Sequence, residues 1–208
     1  MRDKKFSRKD PDERKDVLMR SALRCLEAEG YAGLSVRKIT KEANVSQGMI
    51  NLHFGSMSSL ITYTYEVLSK EFLQFIIGHL EACNGSAVEK LDIFFQLSFA
   101  EDVMTPELLK AWLVFWSLIP NSPEMAEAYT RHNQKIESVL NQLLIAVCEE
   151  NELDADDTLL ASQSLTALLD GLWVRECLER HPNASDKALR AARDWAKRFC
   201  GDSAHRQG

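Results

Sequence analysis

Residues 47–51 carry Gln47, Gly48, Met49 and Asn51, a set suited to touching nucleic acid. An Asn or Gln amide can bond the N6/N7 edge of adenine, and a glycine lets backbone come close to a groove wall. Arg37, Lys38, Lys41 and His53 lie around them and could meet phosphates; the Ser35 and Ser46 hydroxyls stand beside predicted helix starts, and Leu52 follows Asn51. A second chemistry is aromatic. Trp112, Phe115 and Trp116 share one helix face, and Phe95, Phe99, Tyr129 and Trp173 come from other segments. With an acid nearby (Glu101, Asp102 or Asp170) such rings could line a pocket for a quaternary ammonium; the same stripe is also the ordinary pattern of a core. A third is metal binding. His79 with Cys83, and Cys177 with His181, stand at i, i+4, and would make a Cys2His2 site in a metal-responsive protein if their helices met. No Walker, dinucleotide-glycine, H-E-x-x-H or G-x-S-x-G motif occurs, so an enzyme would need a constellation assembled from dispersed residues, and no cofactor is implied.

The elements that must position these groups are helices. Asp10-Pro11-Asp12-Glu13 supplies a cap, a proline at the first turn and an acid, and apolar residues then follow at helical spacing to Gly30. Ser35 is placed to cap a short helix to Ala43, Ser46 another to Phe54, and Ser58 opens a long segment to Cys83. Ser86-x-x-Glu89 is a capping box, while Thr105-Pro106-Glu107 and Ser122-Pro123-Glu124 start helices to Leu118 and Glu150. Two more are expected, from Asp156 to before Pro182 and from Ser185 to Cys200, with Gly201 as the stop. No segment alternates with period two. The expectation is an all-α chain of about nine helices.

Within it, Val36, Ile39 and Ala43 face Ile50 across a corner at Asn44, where a left-handed residue is required. That is a helix-turn-helix, with the second helix presented to a major groove. The expected divisions are a basic arm (1–9), a helix-turn-helix domain (10–56), a second helical domain (57–201) and a frayed tail (202–208).

Charge follows the same division. The whole chain has 25 Lys+Arg against 31 Asp+Glu, a net of −6, which taken alone disfavours nucleic acid. Residues 1–55 are net +4 and the remainder net −10, so the basic excess sits with the helix-turn-helix. Five scattered cysteines without C-x-x-C indicate reduced thiols, and neither a signal segment nor a membrane-spanning run is visible, so a cytoplasmic protein is expected.

The pattern Gly30-Tyr31-x-Gly33-Leu34-Ser35-Val36, Ile39-x-x-x-Ala43-x-Val45-Ser46-x-Gly48-x-Ile50, His53-Phe54-x-Ser56-x-x-x-Leu60 resembles the DNA-binding domain of TetR-family transcriptional regulators over residues 12–62. It departs from the family at Leu52, where an aromatic is common, and at Met57, where a lysine is. Ala111-Trp112-Leu113-x-Phe115-Trp116 and Ala167-Leu168-Leu169-Asp170-Gly171-Leu172-Trp173-x-Arg175 resemble the BetI-type branch, which includes choline-responsive repressors. The resemblance implies a repressor that leaves a near-palindromic double-stranded operator when a small-molecule effector binds, choline being one candidate. It also implies a homodimer built on the last two helices, with Leu165, Leu168, Leu172, Leu189, Ala192, Trp195, Ala196 and Phe199 as the interface residues.

Overall fold

Hydroxyl side chains begin most of the helices, and their placement sets the architecture. In a computed structural model that describes residues 11–179 and 184–205, the helices are α1 (Pro11–Glu29), α2 (Val36–Glu42), α3 (Gly48–Phe54), α4 (Met57–Ala82), α5 (Ala87–Ser98), α6 (Pro106–Leu118), α7 (Pro123–Glu150), α8 (Thr158–Glu179) and α9 (Ala184–His205). Among the described residues there is no strand, and no helix is long and apolar enough to cross a membrane. The expected arm, residues 1–9, lies outside the described residues.

The capping box at Ser86 closes as expected: Glu89 N–H donates to Ser86 Oγ at 3.2 Å and Ser86 N–H donates to Glu89 Oε2 at 2.7 Å. Thr105 and Ser122 likewise accept from Leu108 and Met125, each at 3.2 Å. Several boundaries differ from expectation: α8 starts at Thr158 rather than Asp156, and α9 at Ala184, so that Ser185 lies inside the helix instead of capping it. Ser56 rather than Ser58 caps α4, accepting from Ser59 N–H at 3.0 Å, because Gly55 at φ 76° turns the chain one step earlier. Gln47 rather than Ser46 precedes the first helical residue of α3, and no side chain caps it. Gly201 does not stop α9, which runs on to His205; a glycine terminates a helix only where the chain turns left-handed.

Residues α1 to α3 form the head. Leu18, Ala22 and Leu26 of α1 pack with Ile39 of α2 and Ile50 of α3, all nearly or fully removed from water. Gly33 is required by close approach, since a Cβ there would lie 2.0 Å from the Cys25 carbonyl oxygen. Asn44 takes the corner at φ 53°, as its type predicts. Arg24 donates to Glu42 at 2.8 Å and ties α1 to α2.

Helices α4 to α9 form the body, and α4 and α6 join the two, both packing on α1 and α4 on α3 as well. Lys110 Nζ donates to the Glu27 and Ala28 carbonyls at 2.9 and 3.4 Å, satisfying the open C-terminal end of α1. Its stem runs beneath Gly30, whose φ of 61° turns the chain out of α1. Elsewhere Arg131 pairs with Glu66 at 2.6 Å across α7 and α4, and Arg193 grips Asp92 with two bonds of 2.5 and 2.7 Å across α9 and α5. That fork holds the Asp92 carboxyl below the usual carboxylate range.

Candidate DNA-reading head and effector cavity

Helix α3 stands proud of the head. Gln47, Gly48, Asn51 and Leu52 are exposed, Leu52 to 74 %, while Ile50 on the opposite side is buried. Nothing in the protein lies within 4 Å of where a Gly48 Cβ would be, so that backbone is open to an approaching surface. Ser46 and Arg37 are exposed too, and Ser35 is half-buried just ahead of α2 without bonding its first turn through its side chain. His53 closes the last turn of α3, with Nε2 out of water and without a hydrogen-bond partner among the described residues. Lys38 departs from the expected role. Its ammonium pairs with Glu29 and donates to the Ala32 carbonyl at 2.8 Å, so it braces the end of α1 instead of facing outward. One cation was missed: Arg14 of α1 lines the same groove as Lys41, Asn44, Ser46 and Met49. Its spacing from the corner gave no signal, because only the packing of α1 on α3 brings it there.

The body holds a small aromatic cavity of about 60 Å³, open to solvent on one side. Four of the predicted pocket residues line it: Trp112 and Trp116 from α6, Tyr129 from α7 and Trp173 from α8. Trp112 is central, with Tyr65 at 5.7 Å and Trp173 at 5.9 Å between ring centroids, both nearly edge-on, and Trp116 at 6.3 Å. Such edge-to-face arrangements are the favoured geometry of aromatic rings. Phe95, Phe99 and Phe115 do not reach the cavity. They are core residues, fully or almost fully buried; Phe115 backs the wall by packing edge-on against Tyr65 and Trp112. In their place α4 gives Tyr65 and Phe72, and α7 gives His132 and Ile136.

One carboxylate enters this apolar space. Asp170 of α8 accepts from Tyr129 Oη at 3.4 Å, and burial raises its pKa from the ordinary 3.8 to about 6. Tyr129 in turn is pushed up, by burial first and then by the Asp170 charge. Burial drives His132 the other way, to about 4, with the Lys135 charge adding to the effect, so it is neutral at pH 7. The cavity is therefore a box of rings with a single fixed negative charge at neutral pH and no opposing imidazolium.

The other clusters do not assemble. Among the described residues no three His, Cys, Asp or Glu side chains come within reach of one metal ion. His79 Nδ1 faces the Phe75 carbonyl at 2.8 Å, Cys83 accepts from Gly85 N–H, and Cys177 is turned to the Leu109 carbonyl on α6; His181 lies outside the described residues.

Of the expected interface residues, Leu165 and Ala192 are fully buried within their own chain and cannot meet a partner. Leu165, Leu169 and Trp173 form the inner face of α8, each one helical turn from the next. Leu168, Leu172, Leu189, Trp195, Ala196 and Phe199 are half-buried, the last two rings of that set (Trp195 and Phe199) stacking at 5.5 Å. Leu160 and Leu178, 64 and 71 % exposed, extend the outer face of α8 at both ends; they were not anticipated.

A helix-turn-helix head packed through α4 and α6 on a body that holds an aromatic cavity defines an effector-responsive DNA-binding regulator. The bacterial regulatory proteins of the tetR family match residues 18–64, and the BetI-type transcriptional repressor C-terminal domain matches residues 87–201. An HTH-type transcriptional regulator BetI of Agrobacterium fabrum is 28 % identical over 169 residues, 81 % of this chain and 79 % of that protein. A transcriptional regulator from Pseudomonas aeruginosa PAO1 superposes with a TM-score of 0.85 at 31 % identity over 98 % of both chains. A regulator from Saccharomonospora viridis, solved in complex with choline, shares the fold at a TM-score of 0.78 and 18 % identity, covering 89 % of this chain and 97 % of that one. The chain belongs to the TetR family of transcriptional regulators, with a BetI-type effector domain. It is a DNA-binding repressor, not an enzyme.

Proposed function

We propose that the effector is a small quaternary ammonium of the choline class, held in the aromatic cavity. The observation that carries this reading is Asp170, a lone buried carboxylate among rings lining one cavity. A quaternary ammonium cannot donate hydrogen bonds, so ring faces and one diffuse negative charge are the partners that suit it. Neutral His132 adds no repulsion.

Helices α4 and α6 both run from cavity to head, and α6 offers the more direct lever. It carries Trp112 and Trp116 and, two residues before Trp112, the Lys110 that holds the end of α1. An effector that binds better to a shifted α6 would draw α1 with it and change the separation of the two heads in a dimer. Dimerisation through the outer faces of α8 and α9 would set the reading helices roughly 34–36 Å apart, on a near-palindromic site in the cytoplasm. Gln47, Gly48, Asn51 and Leu52 would read bases, with Ser35, Arg37, Ser46 and His53 at the backbone.

The reading is tested by melting the protein with choline, betaine aldehyde, lipophilic cations and carboxylic acids, then repeating the active ligands on a protein–operator complex selected from random duplexes. Cations raise the melting temperature and release the duplex. Stabilisation by acids alone, or by none of the compounds, removes the quaternary-ammonium assignment.

A further inference from the structure

Three indoles line the cavity, and a buried indole N–H must find an acceptor. Trp173 Nε1 donates to the Ser98 carbonyl at 3.1 Å. Trp116 is only half-buried. Trp112 is different: the residue is 5 % exposed, and its Nε1 has no hydrogen-bond partner among the described residues. Nor is the ring free to swing towards one. Tyr65, Phe115, Trp116 and Trp173 pack around it with centroid separations of 5.7 to 6.3 Å. A donor fixed in this way, unpaired and out of water on a residue that lines the cavity, is a preorganised contact for an atom that enters that space.

The electrostatics divide the space. Ring faces and the Asp170 carboxylate favour positive charge, whereas the N–H edge of an indole is the positive rim of its ring and favours an electron pair. We propose that Trp112 is the specificity residue of this cavity, donating its N–H to an oxygen on the effector, so that the ligand class is a quaternary ammonium with an oxygen acceptor a short chain away. This rests on the cation reading above and sharpens it: simple alkylammoniums of the same size would satisfy the rings and Asp170 yet leave Trp112 unpaired.

The test compares choline with n-propyltrimethylammonium, in which a methyl replaces the hydroxyl, by calorimetry on the full-length protein. Choline binds about ten- to a hundredfold more tightly to the unaltered protein, the usual penalty for stranding a buried donor. In Trp112→Phe both cations lose the same ring contact, so both weaken while their affinities converge to within about threefold, and an unchanged melting transition shows the variant to be folded. Indole N–H spectra of the unaltered protein, labelled with nitrogen-15, give a readout that needs no variant: the Trp112 resonance moves downfield with choline and stays in place with the propyl analogue. Equal affinities in the unaltered protein, a preference that survives in Trp112→Phe, or an unmoved Trp112 resonance overturns the assignment. If both cations bind equally, the cation reading stands and the role of Trp112 falls; if neither binds, both fall.

Discussion

Replacing Asp170 by Asn should make the empty protein more stable while removing its response to cations. In the folded chain the carboxyl is raised from 3.8 to about 6, chiefly by burial. The folded state therefore holds that proton more tightly than the unfolded chain does. Ionisation costs stability progressively as pH rises from about 4, and the loss is complete above about 6. Converted at about 1.4 kcal/mol per pH unit, the penalty approaches about 3 kcal/mol at pH 7.5 and shrinks to about 1 kcal/mol at pH 4.5. Asparagine keeps the volume and can still accept from Tyr129, but carries no charge. All other titrating groups are common to the two proteins, so their difference isolates this one. Thermal melts at pH 7.5 and 4.5 should show Asp170→Asn gaining on the parent at the higher pH, with a melting-temperature advantage there of roughly 6–12 °C. In the parent, cation affinity should fall about tenfold between pH 7.5 and 5 as the carboxylate is protonated, and His132 contributes nothing because it is already neutral at both. A stability difference that is the same at both pH values would refute the argument, because it would mean that Asp170 pays no cost for its charge.

Three further outcomes are expected. Gly48→Ala should leave the melting temperature unchanged or slightly raised, because its Cβ meets nothing in the protein, yet weaken selected operator duplex by about tenfold in fluorescence anisotropy if backbone lies against DNA there. Gly33→Ala should cost about 3 kcal/mol or more in chemical denaturation, since the new carbon would lie 2.0 Å from a backbone oxygen that cannot rotate away. Lys110→Met keeps the stem beneath Gly30 but leaves the Glu27 and Ala28 carbonyls without their donor. Calorimetry should find choline binding unaltered, whereas the operator-affinity ratio with and without choline, about 5–150-fold for ordinary allosteric coupling, should fall severalfold; an unchanged ratio would show that coupling runs elsewhere.

Local signals carried most of the fold into the sequence. A hydroxyl followed by proline and an acid, or by glutamate three residues on, fixes a helix start through bonds made within four residues, and Ser86, Thr105 and Ser122 all make them. Where two hydroxyls competed, as at Ser56 and Ser58, the winner was decided by the turn at Gly55, which a list of cap residues does not encode. The cavity was half legible for the same reason. Helical spacing put Trp112, Phe115 and Trp116 on one side of α6, but which edge of that side faces space and which faces core depends on α4 and α7. Tyr65, Phe72 and His132 reach the cavity only through that long-range packing, and Phe115 is shut out of it by the same packing. Leu165 and Ala192 illustrate the complementary error: an apolar face on a helix says that it is covered, not whether its own chain or another copy covers it. Lys38 shows that a basic residue in a reading head can be engaged by its own chain, here by Glu29 at the surface.

Helix α8 is apolar on both sides, with Leu165, Leu169 and Trp173 inward and Leu160, Leu168 and Leu178 outward. In the proposed dimer a second copy covers those outer leucines; a protomer released from it would wet them, so dilution would act on such a protein much as a mild denaturant does. Its melting point should drift upward with its own concentration. The cell's supply of the folded regulator would then depend on how much of it is already present, and a low-copy repressor of this build must hold its partner tightly enough to outlast the intervals between encounters.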